Sequence, residues 1–538
     1  MQKIYHNGII LTIDHCNTKA EAILVENDHI LAVGSNDEIM AQASTDAKKI
    51  DLQGKTMLPG FIDSHSHICN PLSGFAALPT ENIDSKEALQ ATLKQFIEKG
   101  YLLENGWLIA SGYDNSFFEN NDHPTRYELD SVSQKIPIVV LHKSGHIGAA
   151  NSKALALGGY LDDAPDPEGG VICRNVKTGE PTGVLEENAI IYLFMTYGFG
   201  YTNQSILVQN LENTLASYAK VGVTTAQEGG STREIVELLK YCSEQDKLLI
   251  DVVSYPAIND ENTIITDHSE KQVYTKHLKI GGVKIVGDGS PQAKTAWMTE
   301  PYYEQSENVA PNIKGYGKYT DDEMLEFCRT CIHHHWQMLV HCNGDAMGDQ
   351  FIRTYMQAQK ELNDNKKLRP VMIHAQTVRE DQLDIMKEIG MMPSFFHDHV
   401  YYWGDYHYSS IFGPERGSRI SPLYSAQRRS MPFTLHNDTP VTPINPIFNI
   451  HVAVNRRTSS GMVLGPEYTV DVMEAIRAVT IYAAYQYFDE KIKGSIESGK
   501  LADLVILDQN PLTVPKDKIK DIKVLETIKN GKTIYCAE

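Results

Sequence analysis

The chain has 538 residues, 42% hydrophobic and 22% charged, with a formal net charge of −20. Such figures are ordinary for a soluble globular protein long enough for a large core and more than one domain. The acidity opposes binding to nucleic acid or to anionic membranes and says little about the substrate; a small-molecule substrate is expected, with a homodimer as the candidate assembly. Eight cysteines in this length do not make a disulfide framework. Their one close pair, Cys328 and Cys331, reads as two reduced residues of a helix. No signal-type apolar run follows Met1, and no apolar stretch approaches the ~20 residues of a membrane span, so a cytoplasmic enzyme is expected.

In chain order, short β-rich runs come first, at 9–13, 22–25 and 30–34, broken by Asn, Asp and Gly. A similar pattern returns at 504–507 and 533–535, so the two ends can meet in one small domain, taken as residues 1–57 with 491–538. Between them, residues 58–490 alternate strand-like and helix-like segments. Strands are predicted at 58–63, 221–227, 249–255, 283–286, 338–341, 371–374, 392–396 and 433–436, and amphipathic helices at 205–220, 322–334 and 379–389. Eight such strands alternating with helices imply an α/β fold, a parallel (β/α)8 TIM-like barrel whose active site gathers at the C-terminal strand ends. About 150 residues separate the first two strands, too many for a plain connection, which predicts an inserted subdomain at roughly 75–200.

His65-Ser66-His67 follows an apolar run interrupted by Pro59 and Gly60. On a strand, alternate residues share a face, so the two histidines are either half of a metal site or a pair of satisfied core residues. The other strand ends add Lys284, His341, His374 and Asp438. Imidazole and carboxylate are common ligands of zinc and similar divalent ions. A buried ammonium beside cations is disfavoured. Lys284 is therefore read as carbamylated by CO2 and bridging two ions, or else as reaching solvent or pairing with Asp288.

At this point a resemblance is carried by Pro59-Gly60-Phe61-Ile62-Asp63-Ser64-His65-Ser66-His67, Val283-Lys284-Ile285-Val286-Gly287-Asp288-Gly289-Ser290, His374-Ala375-Gln376 and Asp438-Thr439-Pro440-Val441. These motifs resemble the amidohydrolase superfamily, in its YtcJ-like branch. The likeness extends to 145–152 and 499–505 and so covers almost the whole chain. The nearest named activity is that of N-substituted formamide deformylases, and exoenzyme regulatory proteins are similar over 393–425. The resemblance implies a composite β-sandwich from both termini on a metal-dependent (β/α)8 hydrolase. It implies one or two divalent ions, zinc by expectation. His65 and His67 match the first-strand ligands, Lys284 the carbamylated bridge, His341 and His374 the fifth- and sixth-strand ligands, and Asp438 the catalytic carboxylate. Cys69 is an extra ligand or a buried thiol.

The chemistry expected is hydrolysis of an amide-type C–N bond, in an N-substituted formamide or an N-acyl amine, by metal-activated hydroxide with Asp438 as proton shuttle. His399, after the seventh strand, is read as a donor to the developing oxyanion or as a solvated loop residue. His146, Asn343, Asp345, Trp403 and Arg416 are candidate substrate-binding residues, several of them in loops expected at the barrel mouth. The aromatic run Tyr401-Tyr402-Trp403 suits an apolar substrate group or simple loop packing. His333-His334-His335 reads as a helix end, because adjacent helical residues face different ways. The alternatives are a deaminase or cyclic amidohydrolase of the same superfamily, or a non-enzymatic regulatory protein. A deaminase needs a Glu soon after the fifth-strand histidine, where this chain has Cys342-Asn343-Gly344-Asp345. A regulator would lack ligands, and none is missing.

Overall fold

The computed structural model describes residues 1–69, 78–80, 83–161, 163–167, 169–194, 196–197, 204–258, 273–303, 312–363 and 368–537. The fold is mixed α/β. Both chain ends contribute to a six-stranded sheet, in the order Lys532–Cys536, Val524–Lys529, Leu504–Leu507, Thr56–Pro59, Ile9–Leu11 and Lys19–Ala20. A four-stranded sheet from residues 2–51 packs on it through Tyr5, Ile23, Met57, Leu504 and Ile528.

Two further arcs are built from parallel strand pairs. The first holds Phe61–Ile62, Val223–Ser231, Asp251–Pro256 and Leu278–Ile280. The second holds Gly282–Val286, Gln337–Cys342, Val371–His374, Met392–Phe395 and Thr434–Leu435. Leu278–Ile280 and Gly282–Val286 are one strand position parted at Gly281, where a Cβ would fall 2.4 Å from the Tyr255 ring. The arcs touch where Ala257 bridges Lys284 and where Ser64 Oγ donates to Leu435 O at 3.1 Å. The strands are buried on both faces, as parallel sheets require. Helices Gln204–Lys220, Asp321–His334 and Glu380–Ile389 fall within one residue of the predicted bounds. Thr320 and Glu323 start the second of these with a reciprocal capping box.

The predicted strand at 58–63 is not one strand. Gly60 donates to Asp503 O at 2.8 Å, in the mixed sheet, and the next residue, Phe61, donates to Gly222 O at 2.9 Å, in the first arc. The chain changes sheets there, and only glycine fits: a Cβ would lie 2.4 Å from Thr224 Cγ2. His65 therefore lies in a bend beyond the strand end and His67 at an isolated bridge to Glu228, neither of them on the strand.

Residues 78–187 build a second six-stranded sheet, in the order Gly170–Arg174, Pro181–Glu187, Ile147–Ala150, Ile138–His142, Leu108–Tyr113 and Leu78–Pro79. Alternate residues face opposite sides. Ile109, Val139 and Leu141 pack with Leu185 and Ile190, while Leu108, Ile138 and Val140 pack with Leu89 and Leu129. The expected start of this subdomain, residues 75–77, and its last residues, 198–200, lie outside the described residues. Cys328 and Cys331 are free and buried in their helix, and His333, His334 and His335 are exposed at its end. Among the described residues no helix is long and apolar enough to cross a membrane.

Candidate metal centre

His65, His67 and Asp438 each offer a ligand atom, and these atoms lie within 4.8 Å of one another. The bend that brings the two histidines together is held from outside. Gly229 N donates to Ser66 O at 2.9 Å and His67 N to Thr439 O at 2.8 Å, and Ser66 Oγ donates to the Asp63 carboxyl. Asp438 adopts a left-handed φ of 54°, a conformation that aspartate tolerates better than most residues. Its Oδ1 stands 3.4 Å from His65 Nε2 and 3.5 Å from His67 Nε2. That oxygen is buried and, among the described residues, accepts no hydrogen bond.

Around this trio lie three more rings and a lysine. The His374 ring is 5.5 Å from that of His65, 4.4 Å from His341 and 5.2 Å from His436. His436 was not anticipated. Its Nε2 is 3.1 Å from His374 Nδ1, and its Nδ1 meets Ser394 Oγ at 2.9 Å. Lys284 is buried with Nζ 2.8 Å from His65 Nε2. It neither reaches solvent nor pairs with Asp288, the two alternatives to a site role. Asp288 instead lies 3.1 Å from His341 Nδ1 and accepts from the backbone N–H groups of Asn343, Gly344 and Trp297 at 2.8 to 3.0 Å.

Second partners aim the ligands. Gln227 Oε1 accepts from His65 Nδ1 at 2.5 Å, while Gln227 Nε2 donates to Ser64 O at 2.7 Å. The proton on Nδ1 leaves Nε2 with its lone pair toward Lys284 and Asp438. Behind Cys69, Glu228 Oε2 accepts the Cys69 N–H at 2.6 Å. The Cys69 thiol is buried and pushed well up, by burial first and then by Glu228, as expected of an inert thiol.

Burial governs the charges. It depresses His65, His341 and His374 well below the usual histidine value, with the neighbouring Lys284, His146 and His341 respectively adding to the effect. Neutral imidazole is the form that binds a metal. Burial also lowers Lys284 to about 7. For Asp438 burial alone would raise the carboxyl, but His67, His436 and Lys284 outweigh it and hold it below the usual range. A buried carboxylate oxygen with no hydrogen-bond donor among the described residues, facing the imidazoles of His65 and His67, has the donor chemistry of a divalent-ion site.

The other predicted residues divide. His146 reaches the cluster, its ring 4.8 Å from His341. Asn343 braces His341: its Nδ2 donates to Gly289 O at 3.0 Å and lies 3.4 Å from His341 Nε2. His399 is one ring removed, 4.1 Å from Phe396, which in turn is 5.5 Å from His436. It is buried, not a solvated loop residue, and its Nδ1 has no partner among the described residues. Trp403 is buried against His399, with Nε1 3.4 Å from Asp114 Oδ2 of the insertion. Asp345 and Arg416 correct the expectation of mouth-facing polar groups. Asp345 accepts from Thr299 N at 2.9 Å and from Arg379 at 3.3 Å. Arg416 donates to the carbonyls of Phe412, Glu300 and Pro301, so it ties loops together.

Residues 48–535 match the model of the amidohydrolase family. The chain is 26% identical to the N-substituted formamide deformylase of Arthrobacter pascens, covering 98% of this chain and 97% of that protein. It is 24% identical to YtcJ of Bacillus subtilis, covering 99% of each. Its fold is similar to that of a metal-dependent hydrolase of Pyrococcus horikoshii, with a TM-score of 0.75, 21% identity, and coverage of 96% of this chain and 99% of the other. With a family match spanning both arcs and the insertion, the chain belongs to the amidohydrolase family.

Proposed function

We propose that the protein is a metal-dependent hydrolase of an amide-type carbon–nitrogen bond, in an N-substituted formamide or an N-acyl amine. The two parallel arcs are read as halves of one (β/α)8 barrel with the site at its C-terminal rim. The observation that carries the reading is the convergence of His65, His67 and Asp438. End-to-end similarity to a formamide deformylase supports the choice of bond.

His65, His67 and Asp438 would hold one divalent ion, zinc by its preference for imidazole and carboxylate, and His341 and His374 a second, with Lys284, once carbamylated, as a further anionic ligand. A bound ion of this kind supplies a Lewis acid and acidifies water near neutral pH. Addition of CO2 to the Lys284 amine forms an N–C bond, releases a proton and replaces a disfavoured ammonium by an anion. Asp438, held ionised, takes a proton from the attacking water and delivers it to the leaving nitrogen, a double duty that needs hydrogen-bond reach of both atoms. His399, with its unpartnered Nδ1, is the candidate donor to the carbonyl oxygen, and Phe396 with Trp403 gives the substituent an apolar flank.

The test is a hydrolysis screen of formamides, acyl amides and cyclic amides with protein prepared in zinc and bicarbonate, its metal content measured in parallel. Cleavage of formamides or acyl amides by metal-loaded protein supports the reading. Deamination of purines or pyrimidines alone, or equal activity in metal-free protein, overturns it.

A further inference from the structure

The insertion brings one imidazole to the histidine cluster, and a buried carboxylate holds it there. His146, just before strand Ile147–Ala150, places Nδ1 2.9 Å from Glu187 Oε2. Glu187 ends strand Pro181–Glu187, is wholly buried, and has a left-handed φ of 51°. That conformation is uncommon outside glycine and aspartate-like residues, and it persists only where surroundings enforce it. Here they do. Lys318 Nζ lies 2.7 Å from the same carboxylate oxygen, Thr295 Oγ1 donates to the other at 2.9 Å, and Glu187 N donates to His146 O at 2.7 Å. The loop after the fourth strand leaves no slack, since a Cβ on Gly289 would come within 2.2 Å of Glu187 Oε1.

A carboxylate has no proton to give, so in the neutral ring Nδ1 of His146 carries the hydrogen and Nε2 keeps its lone pair. The His146 side chain is 17% exposed, against 0% for Glu187 and for His65, so the ring borders open space beside the cluster. We infer that His146 Nε2 accepts a hydrogen bond from the N–H of a secondary amide substrate, and that Glu187 is the positioning residue that sets its tautomer and aim. The inference rests on the amide-hydrolysis reading and narrows it to amides bearing one hydrogen on nitrogen. A site built around such an acceptor discriminates against substrates that lack the donor.

The test compares kcat/KM for an N-alkylformamide and its N-methylated, N,N-disubstituted counterpart in wild type, His146→Ala, His146→Gln and Glu187→Gln. Metal content and melting temperature are followed in each. Wild type should prefer the secondary amide. The preference should fall roughly tenfold in His146→Ala, the factor carried by a hydrogen bond of about 1.4 kcal/mol, and by less in Glu187→Gln, whose amide oxygen can still accept from Nδ1. His146→Gln, whose side-chain oxygen can accept, should recover part of it, with bound metal unchanged throughout. An unchanged ratio in active His146→Ala overturns the inference. Loss of metal in that variant also overturns it, by making His146 a ligand. If wild type cleaves neither formamide, the same pair is built on the acyl amide that it does cleave; if it cleaves no formamide and no acyl amide, the amide-hydrolysis reading itself has failed and this inference falls with it.

Discussion

Nζ of Lys284 stands 2.8 Å from Nε2 of His65, and both side chains are buried. Two cationic nitrogens cannot share that separation in a dry site. Burial lowers the lysine to about 7 and the histidine well below its usual value, so the pair is poised to be neutral. If the lysine becomes a carbamate, Lys284→Ala should lower turnover by ~100-fold or more, and added propionate should restore part of it by supplying a carboxylate. Turnover with and without propionate reads this out. Wild-type activity in Lys284→Arg would contradict it.

Gln227 sets the tautomer of His65. Gln227→Leu leaves Nδ1 without its acceptor, so metal affinity should fall by roughly 10–100-fold while the fold is kept. Competition with a chelator, together with the melting temperature, separates the two effects. Undiminished affinity would show that the bend alone orients His65.

Gly229 lies against the same ring. A Cβ there would sit 2.7 Å from His65 Cε1 and 3.1 Å from Gln227 Oε1. Gly229→Ala must therefore rotate the imidazole or displace Gln227, and it should weaken metal binding more than stability. A metal affinity equal to wild type would count against the assigned ligand geometry.

Away from the site, buried Asp251 receives Lys493, Lys529 at 2.6 Å and His277 at 2.6 Å, and so ties the third strand to the C-terminal segment. Asp251→Asn leaves the buried Lys493 ammonium without its carboxylate, while Lys529 keeps Asp503 at 2.7 Å, and should cost roughly 3–5 kcal/mol of stability. Burial pushes this carboxyl up, but Lys493 and Lys529 outweigh it and hold it well below the usual value. A depressed carboxyl contributes stability that is fully present above the unfolded value of about 3.9 and is lost as pH falls toward the folded one. Urea unfolding should therefore show this contribution unchanged from pH 7 to 5 and shrinking below about 4. A wild-type advantage over Asp251→Asn that grows on acidification would contradict the assignment.

Local pattern carried much of the fold. The strand at Val371–His374 and the helix at Asp321–His334 announce themselves by apolar runs and by a capping box. His341 and His374 were legible because they close such runs. The sheet switch at Gly60 was not, because it depends on Thr224 and Asp503, far along the chain. For the same reason Gln227, 162 residues from His65, carried no signal as its partner, and neither did Glu187 as that of His146. Arg416 shows the converse. A charged residue in a loop reads alike whether it faces a substrate or neighbouring carbonyls, and only the packed chain tells them apart.

The most direct test is elemental analysis of purified wild type and His67→Ala, with formamide hydrolysis assayed on the same samples. His67 is the most exposed of the trio, its side chain 27% accessible, so its removal should disturb packing least. The account predicts one or two divalent ions per wild-type chain, and joint loss of metal and turnover in the variant. Full turnover by wild-type protein stripped of metal would contradict it.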